Sequence, residues 1–194
     1  MRRAGLFWLL VPTLAAAAIP PEGVPLQARR GFFTETDIGV FLTVGGDDRY
    51  SNAQTYLQLG LGYDLLPNVE VGAHFGLSSS AANCFSGRTP QGCPLAQDFT
   101  VGFVNLSVAY LARLSERFYL APKITGGYTR LDPAPALSDS GKPITSAANV
   151  GGGFGIEYVT SLDHFTIGAD VLARWIIGPS ISGIAFFPRV KYTF

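Results

Sequence analysis

Ten residues, VEVGAHFGLS from Val69 to Ser78, constrain this chain more than any other stretch. Val69, Val71, Ala73, Phe75 and Leu77 share one parity, and Glu70, Gly72, His74, Gly76 and Ser78 share the other. Successive side chains point to opposite faces of a strand, so this run has one apolar face and one small or polar face. The stretch from Ala53 to Asp64 repeats the pattern, with Leu57, Leu59, Leu61 and Tyr63 opposite Gln54, Tyr56, Gln58, Gly60, Gly62 and Asp64. Between the two runs, LLPN reads as a tight turn.

Extended along the chain, the alternation predicts eight strands, over 31–44, 53–64, 69–79, 99–112, 117–131, 146–159, 164–177 and 183–194. They exceed the usual 5–6 residues and match the 9–11 residues, or slightly more, that a tilted strand needs to cross a bilayer. The connections LLPN, LSE and SLD are short. Those containing GGDDRYSN, SSAANCFSGRTPQGCPLAQD and DPAPALSDSGKPIT are long. Short turns at one end and long loops at the other are the pattern of outer-membrane barrels.

A soluble lipocalin-type barrel would alternate too, with its apolar face inward. Two features argue against that reading. Gly60, Gly62, Gly72, Gly76, Gly151, Gly153 and Gly155 fall on the polar parity, which suits a crowded lumen and would cover a watery exterior poorly. Phe32, Tyr63, Tyr110, Phe118, Tyr158, Phe165 and Tyr192 fall on the apolar parity near the short turns or the termini, as an aromatic belt at one membrane interface would. Trp175 and Tyr128 lie toward the other end. Only 14% of residues are charged and 47% are hydrophobic, against about 25% charged in an average soluble protein. The expected fold class is all-β, an eight-stranded antiparallel transmembrane β-barrel of the outer-membrane type.

Arg2 and Arg3 precede GLFWLLVPTLAAAA, an apolar run too short to span a membrane and ending in small residues, the pattern of a secretory signal. The expected organisation is a signal peptide over 1–18, a short periplasmic segment over 19–30 and the barrel over 31–194. Loss of Arg2 and Arg3 leaves 12 basic against 14 acidic residues, a balance that points to no nucleic-acid partner. The expected location is the bacterial outer membrane, with periplasmic termini, extracellular long loops and lipid around the barrel.

The lumen-facing parity carries Glu35, Asp37, Glu70, Glu157 and Asp170 against Lys123, Arg174, Arg189 and Lys191, with His74 among them. Buried charges are costly unless paired, so these ten predict an ion-pair network across strands. Eight strands enclose an interior that side chains just fill. A plug that holds the barrel together is therefore preferred to a proton or ion path. Val190, Tyr192 and Phe194 share the lipid-facing parity of the last strand.

Cys84 and Cys93, in the longest loop, read as a disulfide in an oxidising compartment. With two cysteines and no histidine nearby, a metal site there is not expected. Asp47 and Asp48 lack a regular calcium-ligand spacing. His74, Ser78 and Ser79 with Glu70 raise a lipid-hydrolase constellation, but His74 and Ser78 face the lumen, away from acyl chains. Neither an enzyme nor a cofactor is expected.

Two resemblances add to this reading. The aromatic-x-aromatic end Tyr192-Thr193-Phe194 resembles the last strand of bacterial outer-membrane barrels, which the barrel-assembly machinery reads. The stretches GFFTETDIGVFLTVGGDDRYSNAQTYLQLGLGYDL, SAANCF, FGIEYVTSLDHFTIGADVLARW and FPRVKYTF are similar to the small CglE-like adventurous-gliding-motility proteins of myxobacteria. That resemblance spans nearly the whole mature chain. It implies a surface component of a gliding and focal-adhesion apparatus, with envelope motility proteins as partners and no catalytic residues. A ligand-binding or lipid-modifying barrel is the alternative.

Overall fold

The structure, a computed structural model, describes residues 31–45, 52–80, 99–132, 134, 141–162 and 164–194. The expected signal peptide, the segment 19–30, Asp47, Asp48 and the Cys84–Cys93 pair lie outside the described residues.

Each alternating run forms a strand: β1 Phe32–Val44, β2 Asn52–Leu66, β3 Val69–Ser80, β4 Phe99–Tyr110, β5 Ala112–Arg113, β6 Phe118–Asp132, β7 Ser146–Val159, β8 Phe165–Ile176 and β9 Ile181–Thr193. Every pairing is antiparallel, β4 pairs with β6, and β1 pairs with β9, so the sheet closes on itself. Closure leaves no unpaired edge, the condition for a sheet to sit in hydrocarbon.

The nine segments make eight staves, because β5 continues β4 on the same register. Ala109 pairs with Lys123 and Ala112 with Leu120, which puts Tyr110 opposite Pro122. A proline has no N–H to offer its neighbour, so the ladder lapses there and Leu111 leaves the strand. Its own N–H donates to the Asn68 carbonyl at 2.8 Å. The unbroken strand expected over 99–112 is corrected accordingly. The turn after β8 is also short, four residues from Ile177 to Ser180, with Gly178 and Ser180 at positive φ of 103° and 53°.

Outward and inward faces differ as the alternation requires. Leu106, Ile124 and Phe194 are 70%, 66% and 61% exposed, while Glu35 and Arg189 are 3% and 2% exposed. An apolar surface running round the whole circumference would be untenable in water and suits lipid. Its aromatic belt is continuous at the closing seam: Phe194 packs against Phe32 and Tyr192 at centroid distances of 5.5 and 5.1 Å, and Tyr192 against Phe165 at 5.1 Å.

The interior has two layers. Toward the short turns it is charged. Toward the long segments it is an apolar cluster that includes Phe41, Tyr56, Phe103, Leu131, Ile176, Ile181 and Phe187. The sequence reading of the lumen as a plug of charged and polar side chains did not include this second layer.

Candidate functional site

The charged layer is built from side chains on seven strands. Arg189 on β9 is its hub. One guanidinium nitrogen, Nη2, lies 2.5 Å from Glu157 Oε1, while Nη1 lies 3.4 Å from Asp170 Oδ2 and 3.5 Å from Glu35 Oε2. Lys123 Nζ donates to Asp170 Oδ2 at 2.7 Å. Lys191 donates to Glu70 and lies 3.5 Å from Glu157 Oε2, with its ammonium over the Phe33 ring. His74 Nδ1 is 3.0 Å from Glu35 Oε1, and His74 Nε2 is 2.6 Å from Ser107 Oγ.

All ten residues singled out for the lumen are buried. Eight of them meet in ion pairs: Glu35, Glu70, His74, Lys123, Glu157, Asp170, Arg189 and Lys191. Asp37 and Arg174 make none among the described residues. Asp37 instead accepts a hydrogen bond from Gln58 Nε2 at 2.5 Å. Arg174 lies in the aromatic layer, its guanidinium carbon 4.1 Å from the Phe103 ring centroid, and donates to Tyr56 Oη at 3.4 Å. A cation over aromatic faces is held by the ring quadrupoles rather than by a carboxylate.

Glycine makes the reach across strands possible. Glu35 on β1 and His74 on β3 both pair with Gly60 of the strand between them. A Cβ on Gly60 would stand 2.7 Å from His74 Nδ1, so any larger residue would prise the pair apart. On β7, Gly155 stands beside Asp170, and a Cβ there would overlap the Asp170 carboxylate. Gly60 and Gly155 are gaps over which these side chains lean.

Ser107 is the participant that the sequence reading missed. It considered Ser78 and Glu70 with His74, but Ser78 donates to Gln54 Oε1 at 2.7 Å and Glu70 is engaged by Lys191. The order Glu35, His74, Ser107 is that of a nucleophilic triad, in which a carboxylate orients an imidazole that accepts the hydroxyl proton. Beside it is a small cavity lined by Gln58, His74, Asn105, Ser107, Lys123, Thr125, Leu172 and Arg174, with room for one water molecule. An acyl or sugar substrate does not fit there. No group of three or more His, Cys, Asp or Glu placed to hold a metal ion occurs among the described residues.

No protein-family model matches the chain, and no curated protein sequence matches it. The solved structures it resembles are small outer-membrane barrels. Neisserial surface protein A is 14% identical, with a TM-score of 0.61 over 84% of this chain and 97% of that one. Ail, the attachment invasion locus protein of Yersinia pestis, is 14% identical, with a TM-score of 0.53 over 86% and 100%. The outer membrane protein OprG of Pseudomonas aeruginosa is 12% identical, with a TM-score of 0.52 over 87% and 98%. The fold is therefore that of the eight-stranded outer-membrane barrels. The similarity to gliding-motility proteins draws no support from these matches.

Proposed function

We propose that this chain is a non-enzymatic barrel of the bacterial outer membrane, with periplasmic termini, that works by contact as a surface component of a gliding-motility or focal-adhesion apparatus. The packed lumen is the observation that carries this reading. Ion pairs fill one half and aromatic side chains the other, so the interior offers neither a conduit nor a substrate-sized chamber. Activity is then left to the surfaces outside the barrel. The long segments 45–52, 80–97 and 132–145 are the ones available for an envelope motility protein or an external ligand. Tyr192 and Phe194, on the outer face of the last strand, are placed for reading by the assembly machinery. Likeness in fold to Ail, the attachment invasion locus protein, is in keeping with a contact role.

A ligand-binding or lipid-modifying barrel is the second reading, favoured by the Glu35, His74 and Ser107 geometry alone. Gliding of single cells separates the two. Cells lacking the protein should regain movement with the wild-type chain or with Ser107→Ala, and not with a chain whose segment 80–97 is replaced by a short turn. The reverse pattern, in correctly inserted barrels, overturns the contact reading.

A further inference from the structure

The lumenal contacts trace an almost closed circuit. Starting at Glu35 on β1, it runs to Arg189 on β9, to Asp170 on β8 and to Lys123 on β6, at 3.5, 3.4 and 2.7 Å. In the other direction it runs from Glu35 to His74 on β3 and Ser107 on β4, at 3.0 and 2.6 Å. Only the step between Ser107 and Lys123, on the paired strands β4 and β6, lacks a direct bond.

The small cavity lies at that step, since both residues line it. Thr125, which pairs with Ser107 in the ladder, lines it too, and its Oγ1 is buried without a hydrogen-bond partner among the protein groups. Arg174 Nε, on a further lining residue, is a second such atom. A buried polar atom left unpaired forfeits its hydration, so native interiors supply a partner, and where protein cannot reach, water does. Buried waters typically make about three hydrogen bonds to polar groups that would otherwise go unpaired.

We propose that this cavity is a binding site for one water molecule that closes a ring of ion pairs and hydrogen bonds through six of the eight staves. Donors and acceptors can be matched step by step along the ring. With a proton assigned to His74 Nδ1, facing Glu35, Nε2 is the atom that accepts from the Ser107 hydroxyl. Ser107 Oγ is then free to accept from the water, whose other hydrogen goes to Thr125 Oγ1. Lys123, with one N–H on Asp170, donates another to the water oxygen.

The test is water-to-protein Overhauser transfer in the full-length mature barrel, folded in deuterated micelles. A lasting cross-peak from water to the Thr125 methyl group and to the His74 ring Hε1 is expected. Thr125→Val, which keeps the shape and removes the hydroxyl, should abolish it. Ser107→Val, which fills the space, is the second variant should the first not fold, as judged by heat-modifiable gel migration. Absence of the cross-peak in the wild type, or equal intensity in a folded variant, overturns the proposal.

Discussion

Glu35, in the first strand, and Arg189, in the last, stand 154 residues apart in the chain and lie 3.5 Å apart inside the barrel. Their strands also form the closing seam, where Glu35 pairs with Lys191 and Asp37 with Arg189 in register. The seam is thus held by backbone bonds at the wall and by an ion pair behind it. Pro188 on β9 cannot donate to β1, and the recorded pairing skips from Asp37–Arg189 to Val40–Phe186. The charges reinforce the part of the wall where the ladder is thinnest.

Removing Arg189 leaves Glu35, Glu157 and Asp170 buried without their shared cation. Breaking a buried pair by deleting one partner costs about 3–5 kcal/mol. Arg189→Met is expected to lower unfolding stability by about that much or more, read from denaturant titration in lipid vesicles by Trp175 fluorescence. A loss under about 1 kcal/mol, typical of an exposed pair, would contradict the buried network.

Two glycines on one strand should respond in opposite ways. Gly155→Ala puts a methyl where the Asp170 carboxylate lies, whereas a Cβ on Gly152 meets nothing nearer than 3.6 Å. Gly155→Ala should destabilise by about 1–3 kcal/mol, the usual cost of overpacking. Gly152→Ala should be neutral or slightly stabilising. Equal effects in refolding titrations would show that the lumenal glycines do not act as spaces for charged neighbours.

The staves, their parity and the ten lumenal residues were legible because alternation records which face a residue takes, even with no knowledge of its neighbours. Register was not legible. Joining His74 to Ser107 requires knowing that His74 pairs with Asn105 across the long segment between β3 and β4, and that segment's length carries no such information. The apolar inner layer had a signal that went unused: Phe41, Phe103 and Phe187 lie on the inward parity and interrupt its polar residues. Pro122 likewise marked the break after Tyr110, although the residue it opposes becomes known only from the pairing.

A lumen closed by two packed layers should not conduct. In planar bilayers the purified barrel should give no steady current above background, and Arg189→Met should not open it, because the cluster around Phe41, Phe103 and Phe187 is untouched. Stable stepwise conductance from the wild-type protein would require a continuous water path and would contradict both layers.

Phe194 is 61% exposed on the outer face and touches Phe32 and Tyr192 there. Its loss removes a belt contact and no lumenal one. Deletion of Phe194 should leave refolding into detergent nearly unchanged and cut the amount of folded protein in cell outer membranes several-fold, if the assembly machinery reads this end. Equal yields in cells would assign the residue to packing alone.

The remaining prediction separates the outside of the barrel from its inside. The bridge expected from the sequence between Cys84 and Cys93 would close a short loop, and by chain-entropy reasoning it would restrict the unfolded chain by about 3 kcal/mol. Replacing both with serine leaves every described strand and lumenal contact in place. The double variant should therefore keep its heat-modifiable band on gels and still lose partner capture or gliding, because only loop shape has changed. Ser107→Ala alters the lumen without touching the loops, and it should preserve both. If Ser107→Ala abolishes function in a folded, inserted barrel while the cysteine-free protein works normally, function resides with the Glu35, His74 and Ser107 group, and the barrel acts through chemistry rather than contact.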